Sequence, residues 1–152
     1  MYAGQTLQTI GGTEVMLFPL DEMYITQGEG GALSHMLAMD FVGWNGSQQV
    51  NSYPYYAPCT CRCVDKNTSQ AWLVFESTTE VLCPDGGIRY VCFVVMHDNN
   101  PLYNIGDVVP QGALLGHTGT ARLCNRRPYA LEHSLWSLSR VDYWIYVQGT
   151  FK

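Results

Sequence analysis

The chain has 152 residues, one domain's length, enough to close an apolar core without disulfide help. Eight Lys and Arg against thirteen Asp and Glu leave a net charge of −5, which argues against nucleic acid or an anionic membrane as the main partner, since both need a basic face. Only 14% of residues are charged, so Ser, Thr, Asn, Gln, Tyr and Gly must wet the surface, while ten Tyr, five Phe and four Trp exclude a disordered chain.

The opening ten residues, MYAGQTLQTI, carry no Lys or Arg and no apolar segment, so a cleaved secretory signal is not expected. No apolar run approaches the roughly 18 residues of a membrane span. Short apolar runs at 16–18, 23–25, 39–42, 71–75, 90–96, 113–115 and 143–147 read as strands. They are rich in aromatic and β-branched residues and bounded by Gly, Asn, Asp or Pro. Between two apolar stretches, Pro84-Asp85-Gly86-Gly87 reads as a hairpin turn, because Pro presets φ and Gly accepts a positive one. No longer window keeps a helical period; the best helical candidate is a short turn at 137–141. The expectation is an all-β, mainly antiparallel sheet or sandwich, a single domain over 1–152 with its core at about 15–140.

Six cysteines are present, with Cys59, Cys61 and Cys63 as their one cluster. Alternation by two suits a strand with three thiols on one face, whereas thiolate zinc sites use Cys-x-x-Cys. Reduced, packed cysteines are expected.

Chemistry has few candidate carriers. No Gly-x-Ser-x-Gly elbow, phosphate loop or dinucleotide fingerprint occurs. His35 and Asp40 flank an apolar stretch leading into a strand, and such a pair can converge on one cation. His97 ends the 90–96 run and opens the loop Asp98-Asn99-Asn100-Pro101; it is either a rigidly held proton carrier or an ordinary strand-end histidine. His133, in Leu131-Glu132-His133-Ser134-Leu135, fits a pocket wall or a core imidazole equally well. His117 is either a helper from a neighbouring loop or a solvated histidine.

Taken in order, these segments resemble the lysostaphin/LytM-type zinc endopeptidases, in particular short phage-encoded forms. Ile25-Thr26-Gln27-Gly28 before Ser34-His35 and Asp40-Phe41 resembles the family's opening, where a His and an Asp supply two zinc ligands. Tyr56-Ala57-Pro58 resembles its "AP.dG.V" step, with Cys59 and Cys61 in place of the usual residues. Val94-Val95-Met96-His97 resembles the strand whose His polarises substrate. Residues 105–116, Ile-Gly-Asp-Val-Val-Pro-Gln-Gly-Ala-Leu-Leu-Gly, resemble the "vGd.V..Gq.iG" hairpin, continued by Thr118-Gly119-Thr120-Ala121.

The likeness covers about residues 15–140 and implies a duplicated-hybrid-motif-like endopeptidase domain. It also implies Zn2+ held by His35, Asp40 and His133 with water as the fourth ligand, and His97 as the catalytic partner. The implied substrate is a stem or cross-bridge peptide of bacterial peptidoglycan. Implied too are synthesis in the cytoplasm of a bacterial host and action on the wall after release or from a phage particle.

One departure matters: the family's closing His-x-His is reduced to His133. If His133 takes the second place, Leu131 replaces the catalytic His; if it takes the first, Leu135 replaces a ligand. The stretch 122–129, with Arg122, Arg126 and Arg127, looks like an insertion; these arginines either meet stem-peptide carboxylates or form a solvated loop. The rival expectation is a catalytically impaired binding module, or a structural phage component, on the same fold.

Overall fold

The computed structural model describes residues 1–27, 39–50, 52–69, 71–96, 98, 100–119 and 134–136, with the backbone course alone for 23–27, 39–42 and 134–136. The described elements are all strands: β1 Glu14–Val15, β2 Met23–Gln27, β3 Met39–Trp44, β4 Gln49–Val50, β5 Pro54–Tyr56, β6 Cys61–Asn67, β7 Trp72–Ser77, β8 Val81–Leu82, β9 Ile88–Arg89, β10 Cys92–Met96, β11 Val108–Val109, β12 Leu114–His117 and β13 Ser134–Trp136. The expected all-β, mainly antiparallel fold is the one observed. Among the described residues no helix is long and apolar enough to cross a membrane. The expected strand at 143–147 and helical turn at 137–141 lie outside the described residues.

The central sheet runs β10-β7-β6-β11. Its strands alternate as a sheet with one buried face requires. Leu73, Phe75 and Ser77 of β7, Phe93 and Val95 of β10, and Cys61 and Cys63 of β6 all turn inward. Phe93 pairs directly with Phe75, and their rings stack at 5.4 Å. Tyr103 meets Phe75 edge-on at 6.2 Å, and its hydroxyl donates to the Leu114 carbonyl at 2.6 Å, so an aromatic with a polar tip closes the core edge. Tyr55, Leu115 and Val81 complete the fully buried set.

Three further sheets are present among the described residues: three-stranded β1-β8-β9, two-stranded β12-β5, and four-stranded β13-β3-β2 with β4 pairing β3. The turn at 84–87 joins β8 to β9 as expected, with Gly86 at φ 85° and the Asp85 carboxylate accepting the Gly87 N–H at 2.9 Å. Two expectations shift. Residues 16–18 are not a strand: the strand is one step earlier, at 14–15. The N–H groups of Met16 and Leu17 then part, to the Leu82 and Pro58 carbonyls. Residues 105–116 are not a hairpin. β11 pairs with β6 and β12 with β5, so the turn between them hands the chain from one sheet to another. Gly112 allows this at φ 81°, because a Cβ there would run into the Gln5 and Gly4 backbone.

Cys59, Cys61, Cys63 and Cys83 are buried free thiols, and Cys92 is a half-buried one; Cys124 lies outside the described residues. Burial pushes the Cys59, Cys61 and Cys63 thiols up; neighbouring Cys61 and Glu14 add to this at Cys59, and Glu14 does so at Cys61. Burial, with Glu76, pushes Cys92 up to about 11. We therefore expect peptide mapping after iodoacetamide at about pH 8 to show Cys59, Cys61, Cys63 and Cys83 unmodified in folded protein and alkylated in urea. Because the folded state keeps its thiols protonated while the unfolded chain ionises, stability measured by urea unfolding should fall as pH rises above about 8.5. Rapid native alkylation of Cys61 would contradict the packing.

Candidate functional site

Asp40 is the second residue of β3, with its backbone paired to Ser134 of β13 on one side and Gln27 of β2 on the other. His35, His97 and His133 lie outside the described residues, as do Arg122, Arg126, Arg127, Leu131 and the expected Gly-Thr-Ala continuation beyond Gly119. The described strands next to three of the candidates do touch one another. Ser134, which follows His133 in the chain, sits opposite Asp40, where paired Cα atoms are about 4.5–5.5 Å apart. β10, which ends one residue before His97, approaches β13. β13 thus touches both β3, which holds Asp40, and β10, whose exit leads to His97.

At that exit lies a residue that sequence reasoning placed in a loop. Asp98 is buried, with 5% of its surface exposed. Its Oδ2 accepts the Tyr55 hydroxyl at 3.1 Å and the His117 backbone N–H at 2.9 Å; its Oδ1 accepts the Asn100 N–H at 2.8 Å. Tyr55 is fully buried on β5. Burial first, and then the Asp98 charge, raises its phenol well above the ordinary value, so it remains a donor. Gly116, opposite Tyr55 in the β12–β5 pair, leaves the room: a Cβ there would overlap Asp98 Oδ2 and the Tyr55 ring and hydroxyl. A register shift between Leu114 and Gly116 brings the His117 N–H to the carboxylate.

His117 is accordingly a strand residue, half-buried, and not a loop histidine. Its neighbour Thr118 is locked to Tyr53, donating from its N–H to the Tyr53 carbonyl at 2.8 Å and accepting the Tyr53 N–H on Oγ1 at 2.8 Å. The signal that could have revealed Asp98 was its company: an Asp between a β-branched strand and Asn-Asn-Pro caps its own following turn through the Asn100 N–H. Nothing in the sequence pointed to Tyr55.

Among the described residues no three His, Cys, Asp or Glu side chains gather as a metal site. The donor chemistry of the expected set still suits zinc, since two imidazoles and one carboxylate leave a fourth position open. The Asp40–Ser134 register is compatible with that set.

No protein-family model matches the chain. Morphogenesis protein 1 of Bacillus phage B103 is 45% identical over 122 residues, covering 78% of this chain and 32% of that protein. The chain thus spans about a third of the length of that curated relative. Among solved structures, a zinc containing peptidase from Vibrio cholerae superposes with a TM-score of 0.53 at 14% identity, covering 86% of this chain and 41% of that one. The chain therefore has a peptidase-like all-β fold.

The Asp98 cradle makes a direct prediction. Tyr55→Phe leaves a buried carboxylate short of one donor and should cost about 1–3 kcal/mol. Gly116→Ala forces Asp98 and Tyr55 apart and should cost at least as much, by overpacking. Urea unfolding of both variants measures this; a Gly116→Ala change within about 0.5 kcal/mol of the parent would refute the cradle.

Proposed function

We propose that the chain is a zinc-dependent endopeptidase domain acting on peptide bonds of bacterial peptidoglycan, with His35, Asp40 and His133 as metal ligands and His97 as the catalytic histidine. The observation that supports this reading is that β13, which follows His133, pairs with β3 at Asp40 and touches β10, which leads to His97. The peptidase-like fold supports it. Zinc, when bound, supplies a Lewis acid that polarises the scissile carbonyl.

The chain's own residues supply position. Met96, just before His97, is paired to Trp72 of β7, and Asp98, just after it, is held by three donors. The backbone on both sides of His97 is therefore fixed, which pre-organises a group that must meet a developing oxyanion. His97 presents an imidazole N–H to that oxyanion and holds the proton passed to the leaving amine. The stem or cross-bridge peptide is the substrate in this reading and water the nucleophile: its oxygen would add to the scissile carbonyl carbon, and its proton would pass through His97 to the amine as the C–N bond breaks.

A second reading has its own support. The relative from phage B103 bears the name of a morphogenesis protein, and the closing His-x-His is reduced to one histidine. On that reading the domain is a catalytically impaired structural module of a phage particle, and the fold serves binding.

Metal analysis and zymography separate the two. On the enzyme reading, purified protein carries about one zinc per chain, and Gram-positive cell walls clear in a chelator-sensitive way. His35→Ala, Asp40→Ala or His133→Ala then lowers activity by more than the roughly 10–100-fold that loss of an outer-shell partner costs. Leu131→His and Leu135→His fix the register, since the one that restores the family's pair raises activity or zinc affinity. Absence of clearing with zinc present, or clearing indifferent to chelator, would remove the enzyme reading.

A further inference from the structure

A groove of about 580 Å³ opens on the β1-β8-β9 side of the molecule, built from elements that carry none of the proposed zinc or catalytic residues. Its size falls in the range of about 300–1,000 Å³ typical of small-ligand sites. Four threonines, Thr13, Thr60, Thr78 and Thr79, help line it; the Thr60 hydroxyl is spent on Glu14 and the Thr78 hydroxyl donates to the Thr60 carbonyl at 3.3 Å, which leaves those of Thr13 and Thr79 for a ligand. Tyr90, 41% exposed, and Ile88, 54% exposed, supply an apolar strip on one side. No Lys or Arg lines it, and of its two carboxylates Glu14 is spent internally. Its two oxygens accept the Thr60 N–H at 2.7 Å and the Thr60 hydroxyl at 2.5 Å. Gly11 and Gly12 form part of the rim; Gly12 sits at φ 86° with open space where a side chain would stand, so a ligand can close on bare backbone.

We propose that this groove binds a neutral, polyhydroxylated chain, that is, a glycan. An aromatic face takes the C–H side of a sugar ring, and clustered hydroxyl and amide groups pair with its equatorial hydroxyls. A groove lacking basic side chains has no anchor for a phosphate or a carboxylate. A peptide would bind at β1 by adding a strand, and on that side the route is closed. The free edge of β1 is already occupied by residues 7–8, through the Val15 N–H to the Leu7 carbonyl and the Gln8–Glu14 bridge. The threonines are also held in place: Thr60 by Glu14, and Thr78 by its N–H to the Thr60 carbonyl at 3.0 Å. The floor of the groove is therefore pre-organised, which lowers the ordering cost of binding. This inference rests on the groove alone and is independent of the zinc-peptidase reading.

Titration of the whole chain with N-acetylglucosamine hexamer, cellohexaose and a hexa-alanine peptide, followed by calorimetry and by NMR shifts, tests it. At least one of the two glycans should bind saturably and shift Thr13, Thr79 and Tyr90 resonances, while the peptide leaves them unmoved. Tyr90→Ala should weaken glycan binding by about tenfold, the loss of one aromatic contact, and Tyr90→Phe should retain it. Thr79→Lys, an exposed change that fills the groove without touching the core, should weaken it as well. Unfolding midpoints of the variants confirm that each is folded. Saturable binding of neither glycan, shifts caused by the peptide instead, or glycan binding unchanged in both Tyr90→Ala and Thr79→Lys would overturn the proposal. His97→Ala should abolish peptidoglycan cleavage yet leave glycan binding intact, so the two readings fail separately.

Discussion

A carboxylate removed from water must be given back its hydrogen bonds, or it costs several kcal/mol. Asp98 is given back three, and the geometry of doing so organises much of the described structure. Tyr55 reaches it only because β5 pairs with β12 so that Gly116 stands opposite the phenol. The His117 N–H reaches it only because β12 shifts register by a residue just before. A side chain at 116 would fill the space that both donors need. One buried charge thereby ties the end of the central strand β10 to a separate two-stranded sheet.

The same economy runs through a chain with few charges. Where charged networks might have set the register, amides and hydroxyls do so. Buried Gln111 donates from Nε2 to the Val15 and Pro58 carbonyls, both at 2.8 Å, while its Oε1 accepts the Leu7 N–H at 3.0 Å. It joins three segments separated by up to 104 residues with one neutral side chain. Glu14 and Thr60 bind the first strand to the chain before β6, and Thr118 and Tyr53 clasp β12 to β5. The neutral bonds of Gln111, Thr118 and Tyr53 are little screened by salt, unlike the surface pair of Arg89 and Asp85.

Much of the fold was legible because its strands obey a period of two with one apolar face. The runs that became β7 and β10, the cysteine alternation that became the inner face of β6, and the Pro-Asp-Gly-Gly turn all follow from local chemistry. What was not legible is pairing. Residues 105–116 carry every local mark of a hairpin, yet their two strands serve different sheets, because the decision is made by Arg62, Cys61 and Tyr56 elsewhere in the chain. β5 went unread because Pro54 and two tyrosines do not alternate in polarity; Tyr55 is nonetheless fully buried. Asp98 read as the opening of a loop, since a sequence cannot show that a phenol some forty residues earlier will be its partner. Of the proposed zinc set, only Asp40 lies among the described residues, with its backbone opposite Ser134.

Both functional readings draw on one scaffold, and the structure explains how that can be so. Every donor in the Asp98 cradle comes from the protein: a phenol and two backbone N–H groups. The central core is closed by Phe75, Phe93, Leu73 and Val95, and its thiols are packed and protonated. Neither feature depends on the residues proposed to hold zinc. A lineage could therefore lose one histidine of the closing pair, and with it turnover, without losing the surface that the fold presents. The carboxylate that ties β10 to β12 and β5 is Asp98, whereas the carboxylate proposed to bind metal is Asp40, so a test of one by substitution leaves the other in place.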